Sequence, residues 1–338
     1  MKNLIYFLSI AVLMLNASCS KVENVISPPK SVGPVDVYVA GKKDNHACYW
    51  KNNQEVILDN GTMSNSNATK IIVSNGDVYV LGTFQIGIVP SLQYVYWKNG
   101  VMTNISNIFS ASPDSVDNIA DMEVVGNDVY FLGYTKQTSL SGNAASFVYW
   151  KNGVKTTIAD YLNLNGLFNF GQIKIVNNTV FIIGAKDIAG TITKGYFVNN
   201  NFTSSFQTLN GITVNGLDVY VYGGNFNPSN LYYKNLITGQ EVSFFPSNAI
   251  AKMVFDGNDK YTSTDAYVFK NDVSVFQRDG FPFNFITDFE VLNSNTYVIT
   301  QEGDLGVIDK LFINNVETQQ INSTFNSNKF NAVTVVQN

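Results

Sequence analysis

A short phrase, Asp-Val-Tyr-(apolar)-x-Gly, returns seven times along the 338-residue chain, and a second phrase, aromatic-Lys-Asn-Gly, follows each copy. The first phrase begins at Asp36, Asp77, Asp128, Thr179, Asp218, Asp259 and Asn295, with separations of 41, 51, 51, 39, 41 and 36 residues. Its third position is aromatic in every copy, from Tyr38 to Tyr297. The second phrase centres on Trp50, Trp97, Trp150, Phe197, Tyr233, Phe269 and Phe312, with an Asn two residues after each. A repeat of this length restricts the chain to a solenoid, a propeller or an array.

Strand chemistry selects among these. Each period holds short runs of Val, Ile, Tyr, Phe and Thr, broken by Asn-Gly, Gly-Asn or Asn-Asn pairs. No stretch after the N-terminal segment has sustained 3.6-residue periodicity, which excludes helical solenoids. The second period shows four strands in order: Lys70 to Ser74, Asp77 to Leu81, Tyr94 to Lys98 and Val101 to Ile105. Asn-Gly at the first and last connections fits two-residue turns whose central residues take positive φ. Four antiparallel strands per radial repeat make a propeller blade. The first period lacks a first strand, and Ala332 to Val336 reads as that strand with no continuation. The expected fold is therefore an all-β, seven-bladed β-propeller of four-stranded antiparallel blades, closed by the C-terminal strand completing the N-terminal blade.

The N-terminus reads as a targeting segment. Lys2 precedes an apolar run from Leu4 to Leu15, too short for a membrane span and suited to a signal-peptide core. Leu15-Asn16-Ala17-Ser18-Cys19 resembles a bacterial lipoprotein signal, which implies cleavage after residue 18 and acylation of Cys19; an ordinary secretory signal is the alternative. Residues 19–34 contain Pro28, Pro29, Gly33 and Pro34 and read as the lipidated cysteine and a tether, leaving 35–338 as one domain. With Cys19 acylated, Cys48 has no disulfide partner and is expected as a small buried hydrophobe on a strand. Without residues 1–18 the chain carries 20 basic and 26 acidic side chains, a net of −6, and its sole arginine is Arg278. That balance excludes a concentrated basic face and a nucleic-acid partner.

The Asp-Val-Tyr-Val-x-Gly strand followed by Tyr-Trp-Lys-Asn-Gly resembles a group of uncharacterised repeat lipoproteins of Bacteroidetes-type bacteria, best over residues 36–155. It is also similar to kelch repeats, whose double glycine survives here as Gly223-Gly224. The resemblance implies a propeller and export, and it brings no activity with it; the expected location is the outer membrane, lipid-anchored, on either its periplasmic or its cell-surface side.

The repeated aromatics are read as inter-blade packing, the repeated Asn as left-handed turn formers, and the Asp that opens the phrase as a turn cap. In a four-stranded meander the first–second and third–fourth connections share one end of the blade. These are short throughout. The second–third and blade-crossing connections share the other end and are long and varied: Thr83 to Gln93, Tyr134 to Ser146, Thr300 to Lys310, Asn104 to Asn118 and Ile158 to Phe170. Binding residues concentrate on loops held by a rigid frame, so this end is the expected site. The candidate ligand-binding residues are His46, Tyr134, Asp187, Asn227, Glu302 and Asp304.

Catalytic chemistry has little to draw on. His46 is the sole histidine, so no His-based metal cluster can form, and a solvated loop residue is its simpler reading. Glu302 and Asp304 form either a carboxylate pair or, with Gly303 and Gly306, an exposed turn. Asp256-Gly257-Asn258-Asp259 mimics part of a calcium loop but sits in a tight-turn slot and lacks the terminal Glu. No cofactor is expected. Asp114-Ser115-Val116 resembles the O-glycosylation acceptor of that bacterial phylum, with Ser115 in a long exposed loop. The expectation is a lipid-anchored, non-catalytic binding propeller whose partners are the bilayer, through acylated Cys19, and a glycan, peptide or envelope protein. The alternatives are a scaffold subunit of an envelope assembly and a polysaccharide hydrolase or lyase.

Overall fold

A computed structural model describes residues 34–58, 64–86, 91–109, 114–137, 144–161, 171–225, 230–244, 249–278, 284–303, 308–322 and 327–338. Seven four-stranded antiparallel sheets form a ring, a seven-bladed β-propeller. The first blade joins β1 (Val35–Lys43), β2 (His46–Lys51) and β3 (Gln54–Ile57) to the C-terminal β28 (Lys329–Gln337). The second has β4 (Ser64–Ser74), β5 (Asp77–Ile86), β6 (Ser91–Lys98) and β7 (Val101–Asn104), and the third β8 (Asp114–Val125), β9 (Asp128–Gln137), β10 (Ala145–Lys151) and β11 (Val154–Tyr161). A short helix, α1 (Ile105–Phe109), lies between them. The fourth blade is β12 (Gln172–Val176), β13 (Thr179–Ile188), β14 (Thr191–Val198) and β15 (Asn201–Ser204). The fifth is β16 (Leu209–Asn215), β17 (Asp218–Gly223), β18 (Leu231–Asn235) and β19 (Glu241–Phe244). The sixth is β20 (Lys252–Asp256), β21 (Asp259–Ser263), β22 (Tyr267–Lys270) and β23 (Val273–Gln277), and the seventh β24 (Phe285–Leu292), β25 (Asn295–Glu302), β26 (Ile308–Ile313) and β27 (Val316–Asn322).

Closure follows the expected three strands plus one. β28 runs antiparallel to β1 from Val35↔Gln337 to Lys42↔Lys329, so β1 has a partner on both sides. The phrase Asp-Val-Tyr is the start of each second strand, and its aromatic is buried in six blades. Trp50, Trp97 and Trp150 are likewise buried. One apolar cluster joins Tyr79 and Leu81 of the second blade to Met122, Phe131 and Trp150 of the third, so these aromatics bind neighbouring blades together. Cys48 is buried on β2.

The phrase-final glycine has a packing cause. The innermost strand bulges opposite it, between Ala68 and Lys70 in β4 and between Ile119 and Asp121 in β8. The bulge pushes a carbonyl inward: a Cβ on Gly82 would lie 2.3 Å from the Asn67 oxygen, and one on Gly133 2.1 Å from the Asn118 oxygen.

Strands run further than their apolar patterns suggest. The β5–β6 connection shrinks from Thr83–Gln93 to residues 87–90, β9 continues through Thr135 to Gln137, and β25 reaches Glu302. Polar residues there alternate with buried ones, as Thr83 and Gln85 do around Phe84, and continued pairing satisfies their backbone groups. The expected Asn104–Asn118 loop contains α1 and the start of β8, and β11 extends to Tyr161.

Candidate functional site

Two kinds of connection divide the ring into unlike ends. At the first end Asn-Gly, Asn-Asn, Gly-Asn and related pairs make two-residue turns in twelve places, and the first Asn of the two-residue third–fourth turns has positive φ in six blades, from 45° at Asn199 to 51° at Asn99. The fifth blade departs from the expected uniformity, joining β18 to β19 through residues 236–240. The other end carries the longer connections, including 138–144, 162–171 and 278–284. Here too there are exceptions: β1–β2 and β13–β14 turn in two residues.

The turn end is fastened by a repeated clasp. In the first blade Asn52 Nδ2 donates to Asp36 Oδ1 at 2.7 Å, Asn52 Oδ1 accepts the Val37 N–H at 2.8 Å, and Lys51 Nζ lies 2.7 Å from Asp36 Oδ2. The Lys51 contact holds the Asp36 carboxyl below the usual carboxylate range, against the opposing effect of burial. The same arrangement joins Asp77, Lys98 and Asn99, then Asp128, Lys151 and Asn152, then Asp259, Lys270 and Asn271. Each of these lysines also sits over the phrase tyrosine, between 5.1 and 5.5 Å from the ring centre. The Asp therefore clasps the third-strand turn, and the visible repeat is framework.

A central channel of about 1030 Å³ runs between the innermost strands β4, β8, β12, β16, β20, β24 and β28. Among the described residues, three lysines and four carboxylates face it. Lys70 contacts Asp121 at 2.5 Å, Lys174 contacts Glu123 at 2.6 Å, and Lys252 lies 2.7 Å from Asp288 and 3.8 Å from Glu290. Channel side chains also bind the next blade's backbone: Asp121 accepts from Ile173 N, Gln172 from Ile212 N and Asp288 from Val333 N, at 2.9 to 3.0 Å. Burial raises the Glu290 carboxyl, while Lys252 opposes that rise. Burial works to lower the Lys252 ammonium, but Asp288 and Glu290 outweigh it and leave it raised.

A second cavity of about 440 Å³ lies between the sixth and seventh blades. Ser274, Gln277, Arg278, Thr300, Glu302 and Asn315 line it. Glu302 bonds Lys310 at 2.8 Å and accepts from Thr300 Oγ1 at 3.3 Å. Sequence reasoning placed Glu302 at the loop end and missed Arg278 beside it, because outer-strand residues of one blade meet the next blade only through the ring.

The candidate residues do not converge. His46 opens β2 beside the Asp44–Asn45 turn. Tyr134, expected on a loop, is buried within β9 and stacks on Phe147 with ring centres 4.7 Å apart, so it packs blades and cannot meet a ligand. Asp187 Oδ1 accepts the Gly190 N–H at 2.8 Å and stabilises the β13–β14 turn. Ser115, expected in an exposed loop, lies on β8 opposite Lys136 and is half-buried, because the strand begins at Asp114. Cys19, Asn227 and Asp304 lie outside the described residues. Among the described residues no three His, Cys, Asp or Glu side chains are placed to hold a metal ion.

No protein-family model matches the chain. No curated protein matches it in sequence. Solved structures do resemble it. The acylaminoacyl peptidase of Pyrococcus horikoshii, in its orthorhombic crystal form, is 10% identical with a TM-score of 0.51, over 88% of this chain and 52% of that one. The β-propeller domain of the Trilobed protease from Pyrococcus furiosus is 10% identical with a TM-score of 0.41, over 73% and 80%. Apo AztD from Citrobacter koseri is 10% identical with a TM-score of 0.46, over 90% and 98%. The chain spans about half the length of the peptidase, and at such identity the likeness is one of fold alone.

Proposed function

We propose that the chain is an exported, lipid-anchored, non-catalytic binding propeller of the outer membrane, acylated at Cys19, that presents its long-loop end to a glycan, peptide or protein partner. The observation that carries this reading is the division of the ring: a clasped turn end of nearly constant design, opposite an end where connection length varies from two to ten residues. A rigid frame with one variable end is how folds commonly carry recognition. The cavity between the sixth and seventh blades, which extends from Glu302 to the turn-end Asn315, supports the glycan class, since amide, hydroxyl, carboxylate and guanidinium groups line it beside Val275, Phe276 and Phe312 and its volume falls in the range of small-ligand sites. A non-catalytic role fits the channel, where each of the four described carboxylates lies within an ion pair or a bond to the neighbouring blade.

The test uses the mature chain, residues 19–338, on glycan and peptide arrays and in pull-downs from envelope extracts. Chimeras in which residues 138–144 or 278–284 are exchanged for turns of equal length should lose the partner while keeping the fold. Partner binding unchanged in every chimera rejects the long-loop site. Turnover of a polysaccharide that Glu302→Gln abolishes rejects the non-catalytic assignment.

A further inference from the structure

We infer that the turn end of the ring is the face that lies against the lipid bilayer, so that the long-loop end points away from it. The inference rests on the lipid-anchor reading and adds to it an orientation and a contact surface. Three observations lead there.

The first is where the ring begins. β1 is the second strand of its blade, so it starts at the turn end, and β28 finishes there. The two ends meet, with Asn338 N donating to the Pro34 carbonyl at 2.9 Å. Any anchor N-terminal to Val35 thus pulls on the turn end.

The second is reach. Fifteen residues, 20 to 34, separate Cys19 from β1. At ~3.3 Å per residue they cannot span more than about 50 Å. A ten-residue strand such as β5 rises about 33 Å. Bringing the long-loop end to the same bilayer would consume most of that reach along one blade, before any of the ring's width is crossed.

The third is the chemistry of the turn end. Val101, Val154, Val273 and Val316 are the first residues of four outermost strands, and Leu217 and Ile237 lie in turns of the fifth blade. These six are between 56% and 71% exposed, at positions where no core requires an apolar side chain. They distribute around five blades of one end, and the clasp pairs among them, Lys98 with Asp77 and Lys151 with Asp128, cancel in charge. The opposite end also exposes apolar side chains, Phe206 and Phe244 among them, so the attachment of the anchor at the turn end is what selects this apolar ring for the interface of a bilayer. The ring is too sparse to bind a bilayer unaided, and the acyl anchor supplies the second signal by holding it at high local concentration.

The experiment couples a synthetic thiol-reactive lipid to Cys19 of the mature chain and places it on phosphatidylcholine vesicles with brominated acyl chains. Cys48 is buried and stays unlabelled. Added tryptophans report contact against the constant background of buried Trp50, Trp97 and Trp150. Val154→Trp and Val316→Trp should each be quenched at least twofold, with Ile188→Trp and Phe244→Trp at the opposite end unchanged. Equal or stronger quenching of Ile188→Trp overturns the orientation. Replacing Val101, Val273 and Val316 by Ser should at least halve the quenching of Val154→Trp; no change overturns the apolar ring as the contact. A lipid-free chain that sediments as a dimer broken by those serines assigns the ring to a second copy and overturns it too. The anchor is judged separately: full-length Cys19→Ser that remains in the membrane fraction rejects acylation, while the chemically coupled chain still reads orientation.

Discussion

Asn52 bonds Asp36 and the backbone of Val37 with the two ends of one amide, tying the turn after β2 to the start of β1 at 2.7 and 2.8 Å. Asn52 also holds φ at 50°, where Asn is tolerated and Ala is strained. Asn52→Ala should therefore lose about 2 kcal/mol, the sum of two modest hydrogen bonds and local strain. Asn52→Gly, which keeps the backbone and loses only the amide, should lose about half as much. Urea unfolding of both variants checks this, and an equal loss in the two would show that strain contributes nothing. Because Lys51 depresses the Asp36 carboxyl, the clasp's charge term is present above the unfolded carboxylate range and is lost as pH falls through the lower folded value.

The clasp explains why so much of the fold could be read directly. Asp36, Lys51 and Asn52 are spaced by one hairpin, so their chemistry repeats at fixed intervals and announces blade, turn and closure together. Ladder length did not show in the same way. Thr83, Thr135 and Lys136 look like loop residues, yet pairing of backbone groups carries β5 and β9 through them. Helix α1 was hidden for a similar reason. Phe109 packs against Trp150 and Phe131 of the next blade, Ile105 is buried in the same apolar cluster, and five residues are too few to show a helical period.

Asp309 is 2% exposed, accepts the Phe330 N–H at 2.6 Å and has, among the described residues, no partner for its other oxygen. Burial pushes its carboxyl up to about 6, against the lowering effects of the Phe330 amide and Lys329. The folded state therefore holds this proton more tightly than the unfolded one. Its contribution is complete below the usual value of 3.8 and is lost as pH rises through about 6. Asp309→Asn should be more stable than the native chain at pH 8 by between about 1 and 3 kcal/mol, each pKa unit being worth about 1.4 kcal/mol. At pH 4 the two should nearly coincide. Parallel unfolding curves at both pH values decide it, and a constant difference across pH would refute the titration.

Phe330 is buried on the closing strand and meets Trp50 edge-on, with ring centres 4.9 Å apart. Phe330→Ala should cost about 3–5 kcal/mol through lost contacts and a cavity at the seam. Ending the chain at residue 328 removes β28 altogether, bares the β1 edge, and should give a species that aggregates. A truncated chain that unfolds cooperatively and stays monomeric by light scattering would mean that three strands close the first blade unaided.

The site was legible only in part, and the channel shows why. Lys252, Asp288 and Glu290 come from two innermost strands of different blades, and nothing in the local pattern of either marks them as neighbours. Their pairing is a product of ring closure. Glu290 is held above the usual carboxylate range by burial, so removing its cation should be felt. Lys252→Met leaves two carboxylates facing one another in a partly desolvated channel and should lose about 2 kcal/mol at pH 8, less near pH 5 as Glu290 takes up a proton. Lys252→Met combined with Glu290→Gln should recover most of that loss, because a single carboxylate then remains, accepting the Val333 amide at 2.9 Å through Asp288. Urea unfolding of the single and double variants measures the recovery. A double variant no more stable than Lys252→Met would show that the lysine acts through its packing against Phe289, whose ring centre lies 5.6 Å from Nζ, and not through charge.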